Sequence, residues 1–218
     1  NSSDSGFCSR TPAVAGNRRT FTWAGWLKRS SLATADHYIF GAYGTKFDVL
    51  RFEPSTDKLQ FLLNGGSAAN LATTQVFRDF SAWYHIVVAC DTTIASPSSD
   101  RIKIYVNGAQ ITSFSTATYP AQNYDSDYNN TVDHQLGALL TSGFYNGYLA
   151  DIHFIDGQAL TPSSFTEVSA TTGQLIPKAY TGTYGTNGFQ LKFADNSSNT
   201  AATLGKDTSG NSNNWTPN

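Results

Sequence analysis

The sequence is poor in charged residues, very poor in glutamate, and contains no methionine. Lys, Arg, Asp and Glu make up 14% of its 218 residues, whereas an ordinary soluble domain contains about 25%. Its two glutamates, Glu53 and Glu167, lie far apart in the chain. The absence of Met indicates an internal piece of a longer protein or a processed product.

Two partner classes are excluded by what the chain lacks. The net charge is -2 and the pI is about 6.0, and the only local basic cluster is the segment Asn17–Arg19. A nucleic-acid surface needs many clustered Lys and Arg to neutralise phosphates, so we expect no nucleic-acid partner. No apolar run approaches the ~20 residues of a membrane span, so we expect none.

Cysteine is also scarce, because the chain has only Cys8 and Cys90. Two cysteines do not form a disulfide framework, and no Cys/His cluster has the spacing of a zinc site. Cys90 ends the apolar segment WYHIVVAC, which predicts a buried free thiol. A Cys8–Cys90 disulfide remains an alternative if two strands place these residues side by side.

The chain is rich in glycine, serine, threonine and aromatic residues. Its side-chain pattern alternates every two residues, which is the period of β-strands. In RTFTWAGWLKRS, Trp23 falls on one face and Trp26 on the other, which predicts a strand buried between two layers. No window of ten residues has a helical period. The segment TPSSF predicts one helical turn, with Thr161 as the N-cap and Pro162 as the first helical residue.

Turn chemistry separates the predicted strands at short intervals. PSTDK joins KFDVLRFE to KLQFLLN as a hairpin. Asn107-Gly108 predicts a type I′ turn between Ile102–Val106 and a returning strand over Ala109–Phe114. A loop of about sixteen residues follows, a length that usually serves a purpose.

About eleven to thirteen short strands predict an all-β, antiparallel two-sheet β-sandwich of the jelly-roll type, with little helix. We place this domain at residues 1–168. A C-terminal extension at residues 169–218 is expected to add one or two strands that pack on the same domain.

Four segments in this order resemble a known family: FTWAGWLKRS, AWYHIVVACDTT, RIKIYVNGAQI and GYLADIHFIDGQALTPSSF. Together they resemble the laminin-G-like, concanavalin A-like lectin/glucanase jelly-roll superfamily, from about Phe7 to Phe165. The two ends of the chain are similar to a variant frequent in structural proteins of phages and algal viruses. That variant usually has Tyr-Leu where this chain has Phe7-Cys8.

The resemblance implies a non-enzymatic carbohydrate-binding, host-recognition module of a viral appendage or tail fibre. Its location would be the virion surface, outside the cell. Its partners would be glycans on the host surface and other virion subunits, with a homo-oligomer as one option. The alternative is a purely structural virion domain that contacts subunits and binds no glycan. A glycoside hydrolase is a more distant alternative.

The carboxylates of the sequence argue against an enzyme. Retaining glycosidases place two carboxylates about 5–5.5 Å apart, and glucanases of this superfamily carry E-x-D-x-x-E on one strand. With only Glu53 and Glu167, the chain cannot contain that motif. A hydrolase that uses Asp151 and Asp156 remains the enzymatic alternative.

The polar residues of GYLADIHFID have an ordinary structural interpretation. Strict alternation puts Asp151 and His153 on one face with Ile155, and we expect that face to be a solvated edge, with a ligand or metal role as the alternative. Asp156-Gly157 is a predicted turn in which Asp156 bonds its own downstream backbone.

The long loop is the preferred binding candidate, because it is rich in aromatic and oxygen-bearing side chains. Tyrosines in a loop can stack on sugar rings or pack against a neighbouring subunit. Oxygens at every second position suit Ca²⁺, and a plain hydrophilic loop is the alternative. The predicted glycan-binding residues are Tyr119, Asn123, Tyr124 and Tyr128, and the predicted Ca²⁺ ligands are Asp125, Asp127 and Asn129.

Overall fold

Two antiparallel sheets face each other in the computed structural model, which describes residues 5–218. Within those residues the strands are β1 (Cys8–Arg10), β2 (Thr20–Arg29), β3 (His37–Tyr43), β4 (Phe47–Phe52), β5 (Lys58–Leu63), β6 (Ala69–Val76), β7 (Tyr84–Asp91), β8 (Ile102–Val106), β9 (Ala109–Gln110), β10 (Phe114–Thr118), β11 (Asp133–Leu136), β12 (Gly147–Asp156), β13 (Thr166–Val168), β14 (Leu175–Pro177), β15 (Phe189–Leu191) and β16 (Thr216–Pro217). Single turns of 3-10 helix lie at Asn64–Gly66, Ser98–Asp100 and Pro162–Ser164.

The strand order confirms the predicted all-β sandwich. One sheet has the order β10-β6-β5-β4-β3-β11-β1-β16, and the other has β15-β12-β2-β7-β8-β9. Strands β13 and β14 form a separate two-stranded hairpin. Among residues 5–218, no helix has the length and apolar character needed to cross a membrane.

The core between the sheets is dominated by aromatic rings. Phe40 from the first sheet stacks on Tyr128, with ring centroids 5.0 Å apart. Trp23 from the second sheet lies 6.3 Å from Phe40. Cys90 is buried in the same core as a free thiol, which confirms that prediction, and Cys8 is also buried and free.

The outer face of the second sheet carries a smaller apolar layer. Val87 and Ile155 belong to this layer, and Phe165 and Tyr184 cover it from the chain that follows β12. The sheet is therefore buried on both faces over part of its area. This arrangement agrees with the predicted strand β2, whose two faces are both apolar.

The C-terminal extension is an integral part of both sheets. Strand β15 pairs with β12 at one edge of the second sheet, and β16 pairs with β1 at one edge of the first. Phe189, Leu191 and Trp215 are core residues. The extension contributes β14, β15 and β16, more strands than the one or two predicted, and the core continues across residue 168.

The Asn107-Gly108 turn has the predicted left-handed geometry, with φ values of 50° and 83°. The returning strand is shorter than predicted, because only Ala109 and Gln110 pair with β8. Phe114 already begins β10, which pairs with β6 in the other sheet. The chain crosses between the sheets here, so the long loop begins at Tyr119 and not at Ser115.

A buried ion pair lies at one end of the sandwich. Arg29 is fully buried and its Nη2 donates to Asp57 Oδ1 at 2.8 Å. The guanidinium also lies 4.4 Å from the ring centroid of Phe52. Asp57 accepts further hydrogen bonds from the backbone N–H of Ala33 at 2.8 Å and from Arg78 Nε at 3.0 Å.

Removing the carboxylate of this pair should destabilise the fold strongly. In an Asp57→Asn variant, the buried Arg29 charge loses its counter-charge, which typically costs about 3–5 kcal/mol. The control is Arg78→Ala, since that side chain is 55% exposed and should contribute less than about 1 kcal/mol. Urea unfolding measures both, and equal losses in the two variants would contradict the assignment.

Candidate functional site

A groove runs across the outer face of the second sheet, beside the β13–β14 hairpin. It consists of two cavities of about 550 Å³ and 380 Å³ that share Ala150, Asp151 and Pro177. We call the larger part the aromatic lobe; its remaining lining residues are Trp26, Trp83, Gln174 and Leu175. We call the smaller part the basic lobe; its remaining lining residues are Lys178, Ala179, Gln190 and Lys192.

Aromatic side chains form one end of the groove. The alternation of β2 that sends Trp23 into the core sends Trp26 to the outer face, where it lines the aromatic lobe. Trp83, which directly precedes β7, is 41% exposed, and the neighbouring Tyr148 is 61% exposed. The Trp83 and Tyr148 ring centroids are 6.5 Å apart. Such flat, half-exposed rings are typical of binding surfaces.

A β-bulge in β12 places Asp151 at the junction of the two lobes. The register between β12 and β2 shifts between Ala150 and His153, and Asp151 has a left-handed φ of 49°. A bulge inserts an extra residue and re-aims its side chain, and a left-handed residue other than glycine carries strain. Both features are frequent at functional sites.

Asp151, His153 and Ile155 share one face, as the alternation predicts, but that face is not a solvated edge. His153 was expected on a solvated edge with Asp151, but its side chain is 1% exposed. Its ring lies 5.1 Å from that of Phe165 and 6.0 Å from that of Tyr184. His153 therefore belongs to the covered outer layer of the sheet, whereas Asp151 reaches the groove.

Asp151 is held from one side by polar partners. Gln190 Nε2 donates to its Oδ1 at 2.7 Å, and His153 Nε2 lies 3.2 Å from the same oxygen. Burial alone would raise the pKa of Asp151, but the contacts with His153 and Gln190 and the charge of Lys192 hold it below its usual value. The carboxylate is ionised at neutral pH, and among the described residues its Oδ2 has no hydrogen-bond partner.

Two unpaired nitrogens lie beside the aromatic lobe. Trp26 and His85 are directly opposite each other on β2 and β7, with ring centroids 5.0 Å apart. Within residues 5–218, neither Trp26 Nε1 nor His85 Nδ1 has a hydrogen-bond partner. Burial, followed by the charge of His153, lowers the pKa of His85 to about 4, so its ring is neutral. Buried polar groups without a protein partner indicate a bound ligand or water.

The predicted tyrosines of the long loop occupy other environments. Tyr128 is 1% exposed, and its ring lies between Phe40 and Phe61. Tyr119 and Tyr124 are half-buried against the core, and Lys46 Nζ lies 4.4 Å from the ring centroid of Tyr124. Stacking of Tyr128 on a sugar is therefore incompatible with its position, whereas Asn123 is exposed.

The predicted Ca²⁺ ligands do not converge. Asp125 pairs with Arg19 at 2.8 Å, and the buried Asp127 pairs with Arg18 at 3.3 Å. The Asn129 side chain donates to Asp156 Oδ1 at 2.6 Å. Each side chain therefore has its own protein partners. In the part of the chain that the structure describes, no group of three or more His, Cys, Asp or Glu residues could hold a metal ion.

The Asp156 carboxylate accepts hydrogen bonds from three segments that are distant in the sequence. Contrary to the prediction, it does not accept one from the backbone directly after it. Its Oδ1 accepts from the Asn17 backbone N–H at 2.8 Å and from the Asn129 side chain. Its Oδ2 accepts from the Asn187 backbone N–H at 3.1 Å. Asp156 is buried and does not line the groove, so it does not complete a catalytic pair with Asp151 there.

The geometry is that of a jelly-roll sandwich with a ligand-sized groove on one sheet. The chain belongs to the Concanavalin A-like lectin/glucanases superfamily, whose family model matches residues 1–165. This match confirms the family resemblance of the sequence motifs. The further likeness to a viral variant stays a prediction, and a comparison with curated proteins finds no match.

Solved structures show the same fold at low sequence identity. A protein from Bacteroides ovatus ATCC 8483, provisionally assigned to carbohydrate binding, has a TM-score of 0.66 and 16% identity over 98% of this chain. This chain spans 56% of that protein's length. Domain 4 of the arabinanase AbnA from Geobacillus stearothermophilus, in complex with arabinotriose, has a TM-score of 0.50 and 17% identity, covering 69% of this chain and 66% of the domain.

A sialidase CBM40 from Ruminococcus gnavus, bound to α2,3-sialyllactose, has a TM-score of 0.46 and 13% identity. That match covers 67% of this chain and 80% of the CBM40. At such identities the Bacteroides ovatus and AbnA structures establish the fold alone.

The long loop is anchored by a neutral histidine. His134 Nε2 accepts from the Asn129 backbone N–H at 3.0 Å, and its Nδ1 lies 2.8 Å from the Val132 carbonyl oxygen. These bonds require Nδ1 to carry the proton and Nε2 to accept. Burial lowers the pKa of His134 to about 4, far below the value of about 6.5 expected in the unfolded chain.

The fold should therefore lose stability as the pH falls below about 6.5. His134 binds a proton there in the unfolded chain, whereas the buried His134 of the folded chain stays neutral. Between pH 7.5 and pH 5, the His134 contribution amounts to about 2 kcal/mol. Urea unfolding of the wild type and of His134→Gln at both pH values measures it. A stability difference between the two proteins that does not change with pH would contradict this account.

Proposed function

We propose that this chain is a non-enzymatic carbohydrate-binding module, and that its groove holds a glycan against Trp26 and Trp83. The observation that carries the proposal is the combination of half-exposed aromatic rings with the unpaired Asp151 Oδ2 in one open groove. Sugar rings present apolar C–H faces and a rim of hydroxyls, so they match both components.

The polar groups of the groove suit hydroxyl recognition. Asp151 Oδ2 is available as a charged acceptor, and Gln174 offers an amide on the opposite wall. Hydrogen bonds to a charged group are stronger than neutral ones, so Asp151 is expected to fix the orientation of the ring.

The size and openness of the groove favour an extended ligand. Its lobes, of about 550 Å³ and 380 Å³, fall within the range of ordinary ligand pockets. The fold neighbours include a protein provisionally assigned to carbohydrate binding and a domain solved with arabinotriose, which supports the same ligand class.

Binding without cleavage is proposed because the groove has one carboxylate. Acid–base hydrolysis of a glycosidic bond needs two, one on each side of the bond. Asp151 is the only acidic residue among the described residues that line either lobe. His153 contacts Asp151 but is buried beneath Phe165 and Tyr184, away from the groove.

The biological setting that we propose is the surface of a virion, where the module would bind host-surface glycans. This setting rests on the resemblance of the two ends of the chain to viral appendage proteins. The second candidate is a purely structural virion domain. The exposed Trp83 and Tyr148 favour it, because a neighbouring subunit would bury them equally well.

A glycan array with matched variants tests the proposed function. Trp83→Ala should weaken binding by about 30-fold or more, since a central aromatic residue typically contributes about 2 kcal/mol or more. Tyr43→Ala is the control, because Tyr43 is similarly exposed but lies on the other sheet.

Isothermal titration against the best array ligand measures the affinities. Binding to no glycan by the folded protein would contradict the proposal. So would an undiminished affinity of the Trp83→Ala variant together with a loss of binding in Tyr124→Ala.

A further inference from the structure

The two walls of the groove come from two different parts of the chain. Trp26, Trp83, Ala150 and Asp151 belong to the region that the family model matches, which ends at residue 165. The opposite wall lies entirely beyond that match; it consists of Gln174, Leu175, Pro177, Lys178, Ala179, Gln190 and Lys192. The extension therefore supplies the whole of one wall of the groove.

The wall from the extension is firmly held. The backbone N–H of Lys178 donates to the Phe165 carbonyl at 2.8 Å. Gln190 pairs with His153 across β15 and β12, and its backbone N–H donates to Asp207 Oδ1 at 2.8 Å. These bonds fix the backbone on both sides of the basic lobe, so the positions from which its side chains extend are preorganised.

The basic lobe has an excess of positive charge. Lys178 and Lys192 line it together with the single carboxylate of Asp151. Asp151 Oδ1 already contacts Gln190 and His153, and among the described residues Lys192 forms no ion pair. Lys178 Nζ donates one hydrogen bond, to the Ser163 carbonyl at 3.1 Å. Two ammonium groups against one carboxylate contrast with the net charge of -2 of the chain.

The aromatic lobe has a different character. Apart from Asp151 at its border, its lining residues are uncharged: two tryptophans, Gln174, Leu175, Pro177 and Ala150. A ligand that fills both lobes thus meets flat apolar rings at one end and ammonium groups at the other. A neutral glycan would leave the two ammonium groups with only the Asp151 carboxylate as a counter-charge.

We propose, as an extension of the proposed glycan-binding function, that the ligand is an anionic polysaccharide containing uronic acid units. One sugar ring packs on Trp26 and Trp83 and donates hydroxyl hydrogen bonds to Asp151. The carboxylate of the adjacent unit lies between Lys178 and Lys192.

The test compares acidic oligosaccharides with carboxyl-reduced forms of the same backbone. The probes are oligogalacturonate, oligomannuronate and hyaluronan oligosaccharides, each measured in both forms by isothermal titration at low and high salt. At least one acidic form should bind about tenfold more tightly than its reduced form, the size expected of two partly exposed ion pairs. This advantage should shrink at high salt because exposed charges are screened.

Matched variants assign the effect to the lobe. The double variant Lys178→Ala/Lys192→Ala should lower the affinity for the acidic form to that for the reduced form. Lys206→Ala, which removes an exposed lysine of the same extension outside the groove, should leave the advantage unchanged. Trp83→Ala should weaken both forms together.

The outcomes separate the two proposals. If reduced and acidic forms bind equally in every pair, or only the reduced forms bind, the anionic ligand class is overturned while carbohydrate binding stands. If the acidic advantage survives in the double lysine variant, the assignment to the basic lobe is wrong. If neither the acidic, the reduced nor the array glycans bind, the proposed function itself fails.

Discussion

The β-bulge in β12 is the constraint on which the candidate site depends. By inserting one residue between Ala150 and His153, it brings the consecutive residues Ala150 and Asp151 to the groove together, whereas His153, farther along the same face, lies beneath the covering aromatic rings. The left-handed backbone of Asp151 is costly for a non-glycine residue. Pairing with β2 on one side and β15 on the other holds the strand in this shape.

Buried carboxylates hold the extension that completes the groove. Asp156 joins the segment around Asn17, the long loop and Asn187. Asp207 accepts from the backbone N–H groups of Gln190 and Asn213 at 2.8 Å each. In both places a carboxylate accepts hydrogen bonds from backbone N–H groups that no neighbouring strand satisfies. Polar side chains in the loops of this low-charge chain therefore serve mainly to hold distant segments together.

The fold was predictable because its determinants are local. Alternation over β2 and β7, the Asn107-Gly108 turn and the short spacing of turns specify an antiparallel sandwich. The two apolar faces of β2 also indicated that an apolar layer covers the outer face of the second sheet. The extra strands of the extension were harder to predict, because β14 to β16 have two or three residues each and form only through pairing with distant edges.

The site was not predictable from the same patterns. The one-residue bulge puts Ala150 on the groove beside Asp151, and the sequence GYLADIHFID contains no glycine or proline at that point to mark it. The tyrosine-rich loop resembled a ligand site by composition, but Tyr128 fills the core and the arginines at positions 18 and 19 pair with its acidic residues. The sequence feature that indicated the groove was Trp26, which lies on the face of β2 opposite Trp23. An apolar ring on that face needs another segment or a ligand to cover it.

The four tryptophans offer the most direct measurement of the central claim, that the groove and not the long loop is the binding site. Two of them, Trp26 and Trp83, line the groove, and two, Trp23 and Trp215, lie in the core. In ¹H–¹⁵N spectra recorded during titration with a bound oligosaccharide, the Trp26 and Trp83 indole N–H signals should shift while those of Trp23 and Trp215 stay in place. Unchanged groove signals, with shifts confined to the backbone amides of residues 119–130, would contradict the account.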